Sequence, residues 1–193
     1  PVRWGIENPT FDAYAKVLFH DLAKPATQVF PPSIPYAPQQ PREVSLDQRK
    51  AKDLLAQAGQ STLSLRLILD PGMLPQARTL SEAVQADLAK AGIQVKIDQL
   101  DSAAYSDTAA KRDYDLRFYL TYGPPYDPFA MLNANFRSTE STFLYTAPGL
   151  DSRIDTALAG TTDAARAAAY DKVWSRLNDD WAVAPVVELP RVW

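Results

Sequence analysis

The sequence predicts an α/β fold: a mixed, largely parallel sheet with flanking helices. Three observations predict it. Leu63, Leu65, Leu67 and Leu69 recur at every second position, which is the side-chain period of a strand. Ala77, Leu80, Val84, Leu88 and Ala91 then recur at helical spacing. Val95 and Ile97 return to the two-residue period within 94–100. Strand, helix and strand with short connections make a βαβ crossover, whose strands are parallel and whose hand is right.

The other elements follow in chain order. After the Asn8-Pro9 break, Phe11, Tyr14, Ala15 and Leu18 share one face of a short helix. Residues 25–41 are rich in proline, which fixes φ and removes backbone donors, so an extended strap is expected there. Val29, Phe30, Ile34 and Tyr36 are interspersed in it, which suggests that the strap lies against the fold. Ser45 and Gln48 form a capping-box pattern ahead of a helix with Ala51, Leu54, Leu55 and Ala58 inward and Gly59 as its stop. Asp70-Pro71-Gly72 closes the first strand of the crossover, and Gly92 ends its helix.

Residues 102–111 read as another helix. Leu116, Phe118 and Leu120 alternate as a strand that runs into Gly123-Pro124-Pro125. Short helices are expected around 129–135 and 151–159. A strongly amphipathic helix follows from Asp163, with Tyr170, Val173, Trp174, Leu177 and Trp181 at helical spacing. Residues 182–189 read as a last strand, placed at an edge by Pro185.

The bulk composition excludes several function classes. The chain has 193 residues, 46% of them hydrophobic, and a formal charge of −3, so it is an ordinary globular chain. Lys and Arg are scattered, which argues against a nucleic-acid footprint and against a polybasic membrane patch. With no cysteine it has neither a disulfide framework nor thiolate metal ligation. His20 is the single histidine, so a multi-histidine metal site cannot form. The opening PVRWGIENPTFDAY lacks Met and is expected of a segment cut from a longer protein, which leaves the missing signal peptide uninformative.

The candidate site is the stretch 118–136, FYLTYGPPYDPFAMLNANF. It places Tyr122 and Tyr126 at the carboxyl end of a strand, where open α/β sheets bind ligands. Two aromatics held on a proline-stiffened corner lose little entropy on binding; a core role for them is equally open. Asp127-Pro128 has the form of a helix start. Asn133, Asn135 and Arg137 lie just beyond, where they can reach a ligand in the same crevice or serve as surface solvation and caps. Asp98, Asp101, Asp107, Asp113 and Asp115 crowd one region, but they flank a strand end and a helix, as solvated caps and faces do. His20 has no HxxH or HExxH context, and no GxSxG, P-loop or Rossmann glycine pattern is present. No catalytic residue is assigned, and no enzyme activity is expected.

At these residues the chain resembles the C-terminal lobe of the family 5 solute-binding proteins, the extracytoplasmic receptors of ABC importers for peptides and nickel. VFPPSIPYAP (29–38), SLDQRKAKDLLAQAG (45–59), LSEAVQADLAKAGIQVKI (80–97) and TYGPPYDP (121–128) carry the resemblance, in that order, and AAYDKVWSRLNDDWAVAPV continues it. The match is nearest to the nickel-binding branch. The resemblance implies one lobe, spanning residues 1–193 with its strap at 25–41, of a larger receptor with a periplasmic-binding-protein type II fold that closes by a hinge.

It further implies a ligand wall from Tyr122 and Tyr126, with Arg137 and Asn133 as further ligand-binding residues. The ligand would be nickel, or another transition metal, held by a small organic chelator, and no covalent cofactor is implied. The implied partners are a membrane ABC permease and an N-terminal lobe of the same chain whose arginines hold the chelator's carboxylates. The implied location is periplasmic or extracytoplasmic, with a lipoprotein anchor as one form.

Two departures refine this. Some relatives supply a metal-ligating histidine from the loop after the turn; here 137–142 reads RSTEST. Direct coordination by this lobe is therefore not expected, and a chelate satisfied by its own donors fits better, such as a histidine complex or an opine-type metallophore. Peptide-binding relatives commonly carry an acid immediately before the second tyrosine to receive the peptide ammonium; here that residue is Pro125. A dipeptide or oligopeptide receptor stands as the alternative reading.

Overall fold

The computed structural model describes residues 8–20, 22–30, 34–38, 47–120, 128–141 and 143–189. The chain divides into two compact units where the sequence resemblance implied a single lobe. One comprises Val2–Pro25, Val44–Leu120 and Val187–Trp193; the other comprises Pro1, Ala26–Glu43 and Thr121–Val186.

The first unit contains α1 (Asn8–Leu18), β1 (Lys24–Pro25), α2 (Gln48–Gln57), β2 (Leu63–Leu69), α3 (Ala77–Lys90), β3 (Ile93–Gln99), α4 (Ser102–Lys111), β4 (Leu116–Arg117) and β5 (Val187–Glu188). Its main sheet is parallel, in the order β3-β2-β4, with Leu63 opposite Ile93, Leu69 opposite Gln99, and Leu67 opposite Leu116. The expected βαβ unit is thus present. Gly59 and Gly92 follow α2 and α3 with φ of +71° and +88°, a conformation open to glycine at no steric cost.

One face of this sheet is apolar. Leu67, Leu69, Ile93 and Val95 pack with Leu55 of α2 and Ala77 and Leu88 of α3. The other face is polar and is tied together by Arg66. Its Nε donates to Asp98 at 2.7 Å and its Nη1 to Asp113 at 2.6 Å, while Asp115 accepts from the Arg66 amide at 2.7 Å. The bond from Arg66, helped by Lys96, holds the Asp98 carboxyl below its usual range.

Three local expectations change in detail. Helix α2 opens at Gln48 itself, so Gln48 is not the third residue of a box: Asp47 is the N-cap, and its carboxylate accepts from the Lys50 amide at 2.8 Å. Ser45 lies outside the described residues. The β4 ladder stops at Arg117, and the Phe118 carbonyl accepts instead from the Tyr105 hydroxyl at 2.7 Å. The last strand is the short β5, antiparallel to β1.

Helix α1 packs through Ala15, with Phe19 and Ala23 just beyond it. Its Tyr14 hydroxyl donates to Asp87 of α3 at 2.5 Å. Burial, and then this carboxylate, push the Tyr14 phenol far above its ordinary value. The side chain of Phe11 lies outside those described.

The second unit contains α5 (Phe129–Phe136), α6 (Leu150–Ala159) and α7 (Asp163–Asp179). Leu132, Phe136, Leu150, Ile154, Tyr170 and Val173 are fully buried in its core. Trp174 and Leu177 are buried with them, whereas Trp181 follows the helix and is only partly buried. The described part of the strap lies against this core, as its apolar residues suggested. Phe30 meets Trp174 edge-on at 5.3 Å, and Tyr36 stacks on Tyr170 at 5.2 Å.

Candidate functional site

The order β3-β2-β4 creates a topological switch point. The crossover from β2 leads to β3 on one side, and β4 arrives on the other. In open α/β sheets ligands bind outside the carboxyl ends of the strands at such a point. Here those ends are the turn after Leu69 and the residues after Arg117.

Both ends are firmly held. The Asp70 carboxylate accepts from the Gly72 amide at 2.8 Å and from the Ser102 hydroxyl at 2.5 Å. The Met73 amide closes the same turn onto the Asp70 carbonyl at 3.1 Å. On the β4 side, Tyr105 fixes the Phe118 carbonyl. Arg117 lies over the rings of Tyr114 and Tyr119 at 5.3 and 5.5 Å. Burial raises the Tyr105 phenol, which therefore stays a neutral donor.

The chain then enters 121–127. Tyr122, Tyr126 and Asp127 fall in that segment and lie outside the described residues. Asn133 is half-buried on α5. Arg137 caps that helix, and its Nη2 donates to Asp155 at 2.6 Å. The Arg137 Nε is buried and has no partner among the described residues. One exposed carboxylate therefore leaves part of the guanidinium's fork unengaged. Asn135 is occupied: it is 3% exposed, and its amide donates to the Met131 carbonyl at 2.9 Å.

Among the described residues no group of three His, Cys, Asp or Glu could hold a metal ion. The crowded carboxylates are engaged structurally. Asp101 caps α4 by accepting from the Ala104 amide at 2.8 Å, Asp107 pairs with Lys111, and Asp98 and Asp113 share Arg66. The segment after α5 is pinned as well. Ser138 donates from its hydroxyl to Asp151 at 2.6 Å and from its amide at 3.1 Å, and these bonds hold the Asp151 carboxyl below its usual value. The Tyr145 hydroxyl donates to Asp180 at 2.7 Å.

Two features of this region are invisible to local patterns. Asp70-Pro71-Gly72 reads locally as a strand stop, and only the strand order puts it beside the end of β4. Tyr105 carries a helix-core signal, and nothing local pairs its hydroxyl with residue 118.

No helix among the described residues is long and apolar enough to cross a membrane. The model of the bacterial extracellular solute-binding proteins, family 5 Middle, matches residues 11–143, well over half of the chain. The nickel-binding periplasmic protein of Escherichia coli (strain K12) is 29% identical, over 83% of this chain and 34% of its own length. Di/tripeptide-binding protein 2 of Pseudomonas aeruginosa (strain UCBPP-PA14) is 27% identical, over 82% of this chain and 31% of its own. Among solved structures, an ABC transporter substrate-binding protein from Sinorhizobium meliloti superposes with a TM-score of 0.81 at 35% identity, covering 95% of this chain and 39% of that one.

The chain spans about a third of the length of the curated relatives it matches. Its architecture, helices around a parallel sheet, is part of a periplasmic-binding-protein type II fold. On the family match and the likeness of fold together, the chain belongs to the family 5 bacterial extracellular solute-binding proteins.

Proposed function

We propose that this chain is part of the substrate-binding component of an ABC importer, and that the receptor captures a transition-metal chelate, nickel foremost, and delivers it to a membrane permease. The observation that carries this reading is the position of β4: it runs into TYGPPYDP at the carboxyl edge of the sheet, beside the end of β2. Tyr122 and Tyr126 supply an aromatic wall, and Asn133 and the unengaged part of the Arg137 guanidinium supply polar contacts.

The metal is cargo here. With no histidine in 137–142 and no acidic or histidine cluster among the described residues, the chelator's own donors satisfy the ion. Charge for the chelator's carboxylates comes from another lobe of the receptor. Hinge closure then buries the complex between two walls, as ligand sites of this size require. The receptor works outside the cytoplasmic membrane, as a periplasmic or lipid-anchored protein.

A second reading, a dipeptide or oligopeptide receptor, is favoured by the di/tripeptide-binding relative. Pro125 weighs against it, because a buried peptide ammonium without an anionic partner is costly.

The test is calorimetric. Nickel(II) with excess L-histidine, and separately alanyl-alanine, are titrated into the full-length protein and its Tyr126→Ala variant. The reading predicts binding of the nickel complex, weakened about tenfold or more by the substitution, as loss of an aromatic anchor does. Unchanged affinity in Tyr126→Ala removes that residue from the site, and binding of the dipeptide alone replaces the chelate with the peptide.

A further inference from the structure

The ligand-binding role of 121–127 leaves open what fixes the far end of that segment. Helix α5 begins at Phe129, directly after Pro128, so the placement of α5 sets where the segment ends. Met131, Leu132 and Phe136 anchor one side of α5 in the core at 3%, 0% and 0% exposure. Its last turn would leave carbonyls without partners. The Asn135 carbonyl instead accepts from the Leu144 amide at 2.7 Å and, more weakly, from the Tyr145 amide at 3.4 Å.

Tyr145 continues the chain of contacts. Its ring packs against the same core, and its hydroxyl donates to Asp180, the C-cap of α7. Arg176 of α7 donates through Nε to the same carboxylate oxygen. Burial alone would raise the Asp180 carboxyl, but the bonds from Tyr145 and Arg176 hold it below its ordinary value. Helix α7 is itself immobilised by Tyr170, Val173, Trp174 and Leu177. The short helix after the ligand segment is therefore braced against the longest helix through one phenol.

We infer that Tyr145 and Asp180 are positioning residues for the ligand-binding segment, acting through α5 without touching ligand. The inference rests on the reading of 121–127 as ligand wall. The two backbone bonds to Asn135 tether residues 144 and 145 at one point only. The phenol supplies the second point, which stops α5 from turning about the first. A tyrosine that merely adds stability would loosen the whole unit when its hydroxyl is removed; a brace loosens α5 and the segment ahead of it.

Hydrogen exchange on the chain separates these. Tyr145→Phe and Tyr36→Phe make the same chemical deletion in the same unit, since Tyr36 donates to Asp163 at 2.8 Å. Peptides covering 121–136 should exchange about two- to tenfold faster in Tyr145→Phe, the range expected for one lost hydrogen bond, and at the native rate in Tyr36→Phe. Asp180→Asn keeps an oxygen acceptor for the phenol, so it should give a smaller acceleration confined to the same peptides. An unchanged rate over 121–136 in Tyr145→Phe overturns the inference, as does equal acceleration in Tyr36→Phe or acceleration by Asp180→Asn spread evenly over 150–179. Nickel–histidine affinity in the full-length protein should fall in Tyr145→Phe and hold in Tyr36→Phe. A silent Tyr126→Ala sinks the ligand wall itself, whereas these exchange rates test the brace alone.

Discussion

The indole N–H of Trp174 donates to the backbone carbonyl of Tyr36 at 2.7 Å, tying the proline-rich strap to a helix 138 residues further along. Tyr36 has a φ of 58°, a left-handed conformation that costs energy in a residue with a side chain. The strap holds it there by stacking its ring on Tyr170. Trp174→Phe keeps an aromatic ring and removes the donor, leaving the carbonyl short of a partner. Stability to urea should fall by about 1–3 kcal/mol. A loss below about 0.5 kcal/mol would mean that the indole bond contributes little to anchoring the strap.

Arg66 reaches across all three strands of the parallel sheet region, from β2 to Asp98 of β3 and to Asp113 ahead of β4. Arg66→Met keeps the length of the side chain and leaves both carboxylates without their guanidinium. The unfolding midpoint should drop, and the gap from the parent should narrow in 1 M salt as screening weakens what was lost (Debye length about 3 Å). A gap that is insensitive to salt would assign Arg66 a packing role.

Phe136 is fully buried at the end of α5, within the core that also holds Tyr170 and Leu150. Phe136→Ala removes a ring from a site that can collapse only partly. The expected cost is about 3–5 kcal/mol by chemical denaturation. A cost near 1 kcal/mol would show that the core around α5 relaxes freely, contrary to its role as a fixed end for 121–127.

Acid should destabilise the fold in a defined direction. Asp98, Asp151 and Asp180 all lie below their ordinary values, chiefly through bonds from Arg66, Ser138 and Tyr145 respectively, with burial opposing. Their unfolded counterparts titrate near pH 4. The unfolded chain therefore binds protons first. The stabilisation is complete above about pH 4 and fades as pH falls through the lowered folded values. Denaturation midpoints measured from pH 6 to pH 3 should fall below pH 4, less steeply in Asp151→Asn. A flat profile would contradict these assignments.

Much of the scaffold could be read from periodicity alone. The alternation from Leu63 to Leu69, the stripe from Ala77 to Ala91 and the face of Tyr170, Val173, Trp174 and Leu177 each point to an element that the fold contains. Those patterns are local, and local burial decides them. Ladder length was less legible: Phe118 and Leu120 keep the strand period, yet β4 ends at Arg117 because Tyr105 takes the next carbonyl. The partners of Arg66 and Tyr145 lie 32 and 35 residues away and leave no local mark. In the candidate site, the motif marks Tyr122 and Tyr126, while the engagement of Arg137 with Asp155 depends on how α6 packs. The place of Asp70 beside the end of β4 follows only from strand order.

The identity of the cargo tests the account most directly. Full-length protein purified without added ligand would be analysed by native mass spectrometry together with elemental analysis. The account predicts near-stoichiometric nickel, or another transition metal, accompanied by the mass of a small organic chelator. Retained di- or tripeptides with no metal would contradict it and establish the receptor as a peptide binder.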